Sequence, residues 1–307
     1  MQALAGAARQ EEKENREESG QGVSHGGRVA RRSARGKATR CYGPAVAVPP
    51  SVVLTIAGSD PSAGAGLQAD LRTVAAHGLY GAAVPTALTV QNTRGVRSTF
   101  VLDAGFVTAQ LVAVLQDLPV ASVKIGMLGT GAVAAAVLDA LEAVTVPIVL
   151  DPVVCSSSGA SLLDGPGVAV LRARVAGIAL ITPNLDEARA LLGERLQERA
   201  AAVALRDLLG CPVLLTGGHG ADPAVCVDWL AGDVVTSLSA PRIHTSNDHG
   251  TGCLLSTSIA CALAEGCDLL AAVQHGRRCV AKALQGSLEL GGGRGPVFLL
   301  RAPAISR

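Results

Sequence analysis

Apolar positions along the chain fall into two kinds of run. Short ones, rich in Val, Leu and Ile and closed by Gly, Asp or Pro, predict strands, while longer Ala- and Leu-rich stretches predict helices. VVLTIAG (Val52 to Gly58) reads as a buried first strand, followed after SDPSAGAG by the helical LQADLRTVAAHG, which Gly78 ends. Residues 82 to 90 are extended, with QNTRGV as the loop after them. A helix from about Ala104 to Gln116 leads to a strand at VKIGML, and an Ala-rich helix around 131 to 143 leads to PIVLDPVV. ALITPN, PVLLTGG and the pair AVCVDWL / DVVTSL supply later strands, the last two joined at Ala231-Gly232 as a hairpin. Strands alternating with helices predict parallel βαβ units in a layered α/β domain, with ligand loops at the strand C-termini.

Composition sharpens this picture at two points. Hydrophobic residues make up 49% of the 307 and aromatics only 2%, so Ala, Val and Leu must fill the core, as in a sheet covered on both faces. Residues 1 to 50 carry nine Lys/Arg against five Glu and almost no core-forming pattern. That composition predicts a disordered leader, closed by Pro49-Pro50, ahead of one folded domain over 51 to 300. The basic, Ser/Ala-containing half suits an organellar transit peptide and the glutamates do not, so the reading is a cytoplasmic protein, or a plastid or other organellar one if the leader targets it. The remainder is slightly acidic, which leaves no basic surface for nucleic acid, and no apolar run is long enough to span a membrane. The eight cysteines show no CxxC pair and no Cys/His ligand spacing, which argues against both structural zinc and a disulfide framework.

Chemistry concentrates where strands end. Gly58-Ser59-Asp60, Gly126-Met127, Asp151-Pro152, Pro183-Asn184 and Gly217-Gly218 are each ordinary turn sequences taken singly. Five of them on one edge of one sheet would surround a single crevice. To these the chain adds SNDHGTGCLL (Ser246 to Leu255), in which Gly250, Thr251 and Gly252 precede Cys253 and a long helical run. Free amides and the helix dipole at such a start favour an anion, and the same field is expected to lower the pKa of the Cys253 thiol. A bland alternative is a turn before a core helix, with Cys253 packed as a small hydrophobe.

The segments IAGSDPSAGAGLQADLRT, TALTVQNTRGV, VKIGML, VLDPVV, LITPNLDEA, TGGH, APRI and HGTGC, with GRGPV near the end, resemble those of the hydroxymethylpyrimidine and phosphomethylpyrimidine kinases of thiamine biosynthesis. They occur in that family's order from Val52 to about Val297. The resemblance implies a ribokinase-like three-layer fold, a homodimer, and transfer of the ATP γ-phosphoryl group to a hydroxymethylpyrimidine and then to its monophosphate, with Mg2+. It implies that Gln91 reads the pyrimidine through its paired donor and acceptor, with Gly58, Ala65, Asp70 and Met127 around the same ring. Without the motif, Gln91 would be a surface residue and Asp70 a solvated helix carboxylate. Asn184 and Glu187 resemble the pair that handles magnesium and phosphate, with Asp151 as a second carboxylate for the metal; capping the next helix is the alternative for Asn184 and Glu187. Thr216, Gly217 and Gly218 resemble the nucleotide-side loop, and Gly250, Thr251, Gly252 and Cys253 the catalytic turn.

The chain departs from the family pattern in having Thr216 where a Lys is common, Ser157 near the place of another, Asp248 within NDHGTGC, and Gly292-Gly293 in place of His-Gly. These bear on nucleotide affinity rather than on the reaction. Two other readings remain: a pyridoxal kinase activity, and a catalytically silent pyrimidine-binding regulatory protein. Because the leader lacks core-forming residues, a chain starting at Ser51 is expected to match the full-length protein in turnover and melting temperature. A clear fall in melting temperature on truncation would show that the leader packs on the domain.

Overall fold

The computed structural model describes residues 49–156, 159–217 and 222–305. The leader up to residue 48, Ser157 and Gly218 lie outside them. The strands are β1 (Val52–Ser59), β2 (Tyr80–Asn92), β3 (Gly95–Val101), β4 (Val120–Ile125), β5 (Ile148–Leu150), β6 (Leu180–Ile181), β7 (Val213–Leu215), β8 (Val225–Ala231) and β9 (Val235–Pro241). They form one sheet in the order β3-β2-β1-β4-β5-β6-β7-β8-β9. Pairing is parallel from β2 through β7, and β3, β8 and β9 add antiparallel edges.

Both faces of this sheet are buried because neighbouring strand residues point opposite ways. Leu54, Ile125, Leu150, Ile181 and Leu215 pack on one side with α2 (Ala104–Asp117), α3 (Gly131–Leu141), α4 (Gly165–Arg174), α5 (Leu185–Leu192) and α6 (Glu198–Leu209). Val53, Val149, Leu180 and Leu214 pack on the other with α1 (Gly66–Ala76), α7 (Thr251–Ala264) and α8 (Leu269–Gln285). This explains why the central strands read as unbroken apolar runs, and why so few aromatics suffice. Trp229, the one tryptophan, sits in β8 opposite Leu215 and packs on the edge of the larger core. Helix starts follow local chemistry: Asp103, Asp164 and Asp268 each accept a first-turn amide, and Thr130 accepts that of Val133.

Two expectations are corrected. QNTRGV is not a loop: β2 runs on to Asn92 and turns through Thr93 and Arg94 into β3, where Val96 to Val101 continue an antiparallel hairpin. The strand at VKIGML begins earlier, at Val120, and ends at Ile125, so that Gly126, Met127 and Leu128 leave the sheet. In that position Met127 packs with Ala87 and Leu162 rather than within the strand layer.

One ionic contact runs through the interior. Asp70 of α1 and Lys124 of β4 are both 0% exposed and meet at 2.8 Å. The carboxylate also accepts from Thr55 Oγ1 of β1 at 2.6 Å and from Thr257 Oγ1 of α7 at 2.8 Å. Burial opposes the charge on Lys124, but Asp70, Cys253 and Asp151 together hold it above the usual lysine range. Asp70→Asn strands a buried ammonium, and is expected to lower unfolding free energy by about 3 to 5 kcal/mol, measured by urea titration. Replacing the pair together, Asp70→Leu with Lys124→Met, should restore much of that loss; a single variant as stable as the native protein would contradict this account.

Candidate active site

The C-terminal ends of β1, β4, β5, β6 and β7 open into one cleft of about 1760 Å3, whose lining includes Asp60, Met127, Asp151, Asn184 and Thr216. Four of the five strand ends picked out in the sequence are thus brought together, with Thr216 standing just before the fifth. Opposite them stands the start of α7. Gly250 has φ 87°, and a side chain there would collide with the Gly64 carbonyl, so glycine is required twice over. No side chain caps this helix; the Thr251 amide donates to the Asp248 carbonyl at 3.3 Å, and the start of the helix lines the cleft at Thr251, Gly252 and Cys253.

The expected low pKa of Cys253 is corrected. Burial comes first in raising the thiol to about 12, and Asp70 and Asp151 add to it, while Lys124 and the Gly66 amide oppose the shift. The helix start attracts anions, but a thiolate here would be desolvated beside two carboxylates. The resting group is a neutral thiol.

Gly58, Ala65, Met127 and Gln91 all line the cleft, with Gly58 directly against the Met127 thioether. Gln91 has its amide nitrogen 3.4 Å from His249 Nε2, and its oxygen accepts from Thr89 at 3.2 Å. Asp70 does not join them. It lies behind the cleft wall in the ion pair with Lys124, so the ring acceptor assigned to it is not available, and its place in the motif reflects its grip on the lysine. Sequence reasoning missed Lys124, which forms part of the cleft floor, although VKIGML contains it.

His249 was also missed, and Asp60 was placed at the crevice without a role. The Asp60 carboxylate accepts from Ser62 N (2.9 Å), Ser62 Oγ (2.7 Å) and Ala65 N (3.0 Å), and meets His249 Nε2 at 3.2 Å. Burial works to raise its pKa, but these partners outweigh it and hold the carboxylate low. Asp60 thereby ties the loop before α1 to the turn before α7. The signal was present as the Asp of GSDPSAG and the His of HGTGC.

Asn184 and Glu187 form a capping box: Asn184 Oδ1 accepts from the amides of Asp186 and Glu187, and Glu187 accepts from Asn184 N, each at 2.9 Å. Both also line the cleft, so capping the helix does not remove them from reach of a ligand there. Burial, then the Asp151 charge, pushes Glu187 up to about 8. Burial pushes Asp151 up to about 6, with Lys124 opposing and Asp70 adding to the rise. Two buried carboxylates that repel each other fit a divalent cation with oxygen ligands, which would relieve both.

Thr216, expected near the nucleotide, lines the cleft and is bridged to Asn184. Gly217 is corrected: it is wedged against the Val227 carbonyl, donates to Asp228 Oδ1 at 2.8 Å, and has no place in the cleft lining. The wall beyond carries Arg242, Arg277 and Arg278, which no sequence motif singled out. The unexpected Asp248 does not face the anion site unpaired, because Arg294 Nε reaches it at 2.7 Å.

Anion-binding amides, a buried lysine and an acidic pair around a small-molecule cleft define a phosphotransferase of the ribokinase-like fold. The solved structure of pyridoxal kinase from Staphylococcus aureus in complex with ADP superposes with TM-score 0.75 at 28% identity, covering 82% of this chain and 94% of that one. A phosphomethylpyrimidine kinase from Clostridium difficile gives 0.67 at 33% identity, covering 76% and 99%. The hydroxymethylpyrimidine/phosphomethylpyrimidine kinase of Rhizobium meliloti is 43% identical over 255 residues, 80% of this chain and 96% of that protein. Residues 60–298 match the family described as phosphomethylpyrimidine kinase, and the chain belongs to that family.

With its pKa at about 12, Cys253 should react slowly with iodoacetamide at neutral pH, and about tenfold faster per pH unit as the thiolate fraction grows. Mass spectrometry of the alkylated peptide checks this. A rate that levels off near pH 7 would mean an acidic thiol and would overturn the charge assignment.

Proposed function

We propose that the protein transfers the γ-phosphoryl group of ATP to the hydroxymethyl oxygen of 4-amino-5-hydroxymethyl-2-methylpyrimidine, and then phosphorylates the resulting monophosphate to the diphosphate. The observation that carries this reading is the uncapped start of α7 facing the same cleft as the Gln91 amide. Gln91 offers a donor and an acceptor to a ring nitrogen and its neighbouring amine, and Gly58, Ala65 and Met127 leave a flat slot for the ring. The hydroxymethyl oxygen attacks the γ-phosphorus, the bond to ADP breaks, and the hydroxyl proton passes to an oxygen of the transferred phosphoryl group, because the neutral Cys253 thiol already carries its own. The amides of Gly250 to Cys253 neutralise charge on the transferring oxygens.

Asp151 and Glu187 would hold Mg2+, which supplies charge neutralisation at the phosphates when bound. Asn184 and Thr216 would face the nucleotide, and Arg242 and Arg278 of the far wall would offer the positive charge that a Lys at 216 otherwise brings, while Arg277 is held by Asp228. Because phosphoryl transfer is largely dissociative, a neutral thiol suffices: little proton transfer is needed before the transition state. Exposed Leu88, Val90 and Phe100 on β2 and β3 support a homodimer through that hairpin. Among the described residues no helix is long and apolar enough to cross a membrane, and the proposed location is the cytoplasm, or a plastid if the leader targets it.

Incubation with Mg-ATP and the pyrimidine alcohol, with products resolved by mass, should yield both mono- and diphosphate. Pyridoxal offered in parallel tests the vitamin-kinase alternative; binding of the pyrimidine without ATP consumption would mark a silent regulator instead. Gln91→Leu should raise the pyrimidine KM on the order of tenfold or more, because a ring donor and acceptor lose partners worth about 1 to 3 kcal/mol. Cys253→Ala should lower kcat by only about tenfold, the worth of about one hydrogen bond to the reacting hydroxyl, with pyrimidine binding little changed. Turnover near the native rate would leave catalysis to the amides alone.

A further inference from the structure

The absence of Cys/His ligand spacing argued against structural zinc, yet the fold assembles such a cluster away from the cleft. His77, at the C-terminal end of α1, meets His275 and Cys279 of α8. The last two are four residues apart and share a helix face, an H-x3-C spacing that reading for CxxC overlooks. His275 and Cys279 are fully buried, while His77 keeps partial access to solvent.

The donor atoms lie in mutual contact. His77 Nε2 is 2.9 Å from His275 Nε2 and 3.7 Å from Cys279 Sγ, and His275 Nε2 is 3.4 Å from the same sulfur. Zinc bonds of about 2.0–2.1 Å to nitrogen and about 2.3 Å to sulfur at tetrahedral angles set N···N near ~3.3 Å and N···S near ~3.6 Å. The triangle departs from those edges by no more than about 0.4 Å. Opening the two imidazoles slightly would seat an ion.

Protonation favours the same conclusion. His77 donates Nδ1–H to the Thr73 carbonyl at 2.7 Å, so in the neutral ring Nε2 is a bare lone pair aimed at the other two groups. An orienting bond of this kind is what metal-binding histidines make. His275 Nδ1 is buried without a partner. With the proton on Nδ1, two lone pairs confront each other at 2.9 Å; with it on Nε2, the rings bridge and Nδ1 is stranded. Burial raises the Cys279 thiol, with Arg278 and Lys282 opposing it.

We propose that His77, His275 and Cys279 form a binding site for a borderline-soft divalent ion of the zinc class, with three protein ligands and a fourth position open to water beside His77. Nitrogen and sulfur ligands distinguish it from the carboxylate pair in the cleft, which suits magnesium. The ion would pin the end of α1 to α8, and α1 begins at Gly66 on the cleft itself.

Chelator-stripped full-length protein, kept reduced by a phosphine, is titrated with Co2+ in excess Mg2+. One equivalent should bind with a thiolate-to-cobalt charge-transfer band, be displaced by one equivalent of Zn2+, and raise the melting temperature. Cys279→Ser should abolish the band, and His77→Gln, at a partly exposed position, should weaken Co2+ binding at least about 100-fold. Cys253→Ser should leave the band intact. A native protein with no stoichiometric cobalt–thiolate band, or a band that survives both Cys279→Ser and His77→Gln, overturns the assignment.

Discussion

The carboxylate of Asp70 is where four elements of this molecule are joined. It sits on α1, grips Lys124 of β4, and takes hydroxyl hydrogen bonds from β1 and α7. A charge with no contact to water is tolerable only when its partners are complete, and here every partner comes from a different element. The fold must therefore close correctly on both sides of β1 and β4 before the pair is satisfied. Lys124 then reaches the cleft floor already held, and its positive charge offsets part of the repulsion among Asp151, Cys253 and Asp70. What resembled a substrate contact is the support on which the substrate contacts rest.

The rim of the cleft is organised by a second, lighter version of the same idea. Asp60 gathers three donors from its own loop and one from His249, and His249 in turn touches Gln91. The loop before α1, the turn before α7 and the end of β2 are thus linked side chain to side chain. Ala63, with φ 58°, shows the tightness of that loop, since a non-glycine residue holds the left-handed region only when its neighbours enforce it. The Asp248 and Arg294 pair does similar duty at the mouth, neutralising a carboxylate that would otherwise oppose incoming phosphate.

Much of this was legible in the residues. The apolar runs from β1 to β7 announced a parallel sheet buried on both faces, and the small polar residues at five strand ends announced the cleft. The resemblance of GSDPSAGAGLQAD, QNTRGV and HGTGC agrees with the family the chain belongs to. What was not legible depended on three-dimensional neighbours. Asp70 and a ring-binding carboxylate look alike in one dimension; only the approach of β4 tells them apart. The thiol of Cys253 was read from its helix alone, whereas its charge state is set by burial and by carboxylates from α1 and β5. Helices α4, α6 and α8 carried no motif and drew no notice, and with them went the arginine wall. The QNTRGV hairpin was hidden because its polar turn resembles any loop until β3 pairs with β2.

The scarcity of aromatic residues has an experimental use. Trp229 is the single tryptophan in the chain, and it lies in β8 opposite Leu215, one residue from Thr216 and next to Asp228. Asp228 binds both the Gly217 amide and Arg277, so this indole's immediate neighbours join the end of β7 to α8. Its emission originates from one place and reports on one event. Stopped-flow fluorescence on the unmodified protein, excited where its two tyrosines do not absorb, can therefore follow events at this edge of the sheet with no label introduced.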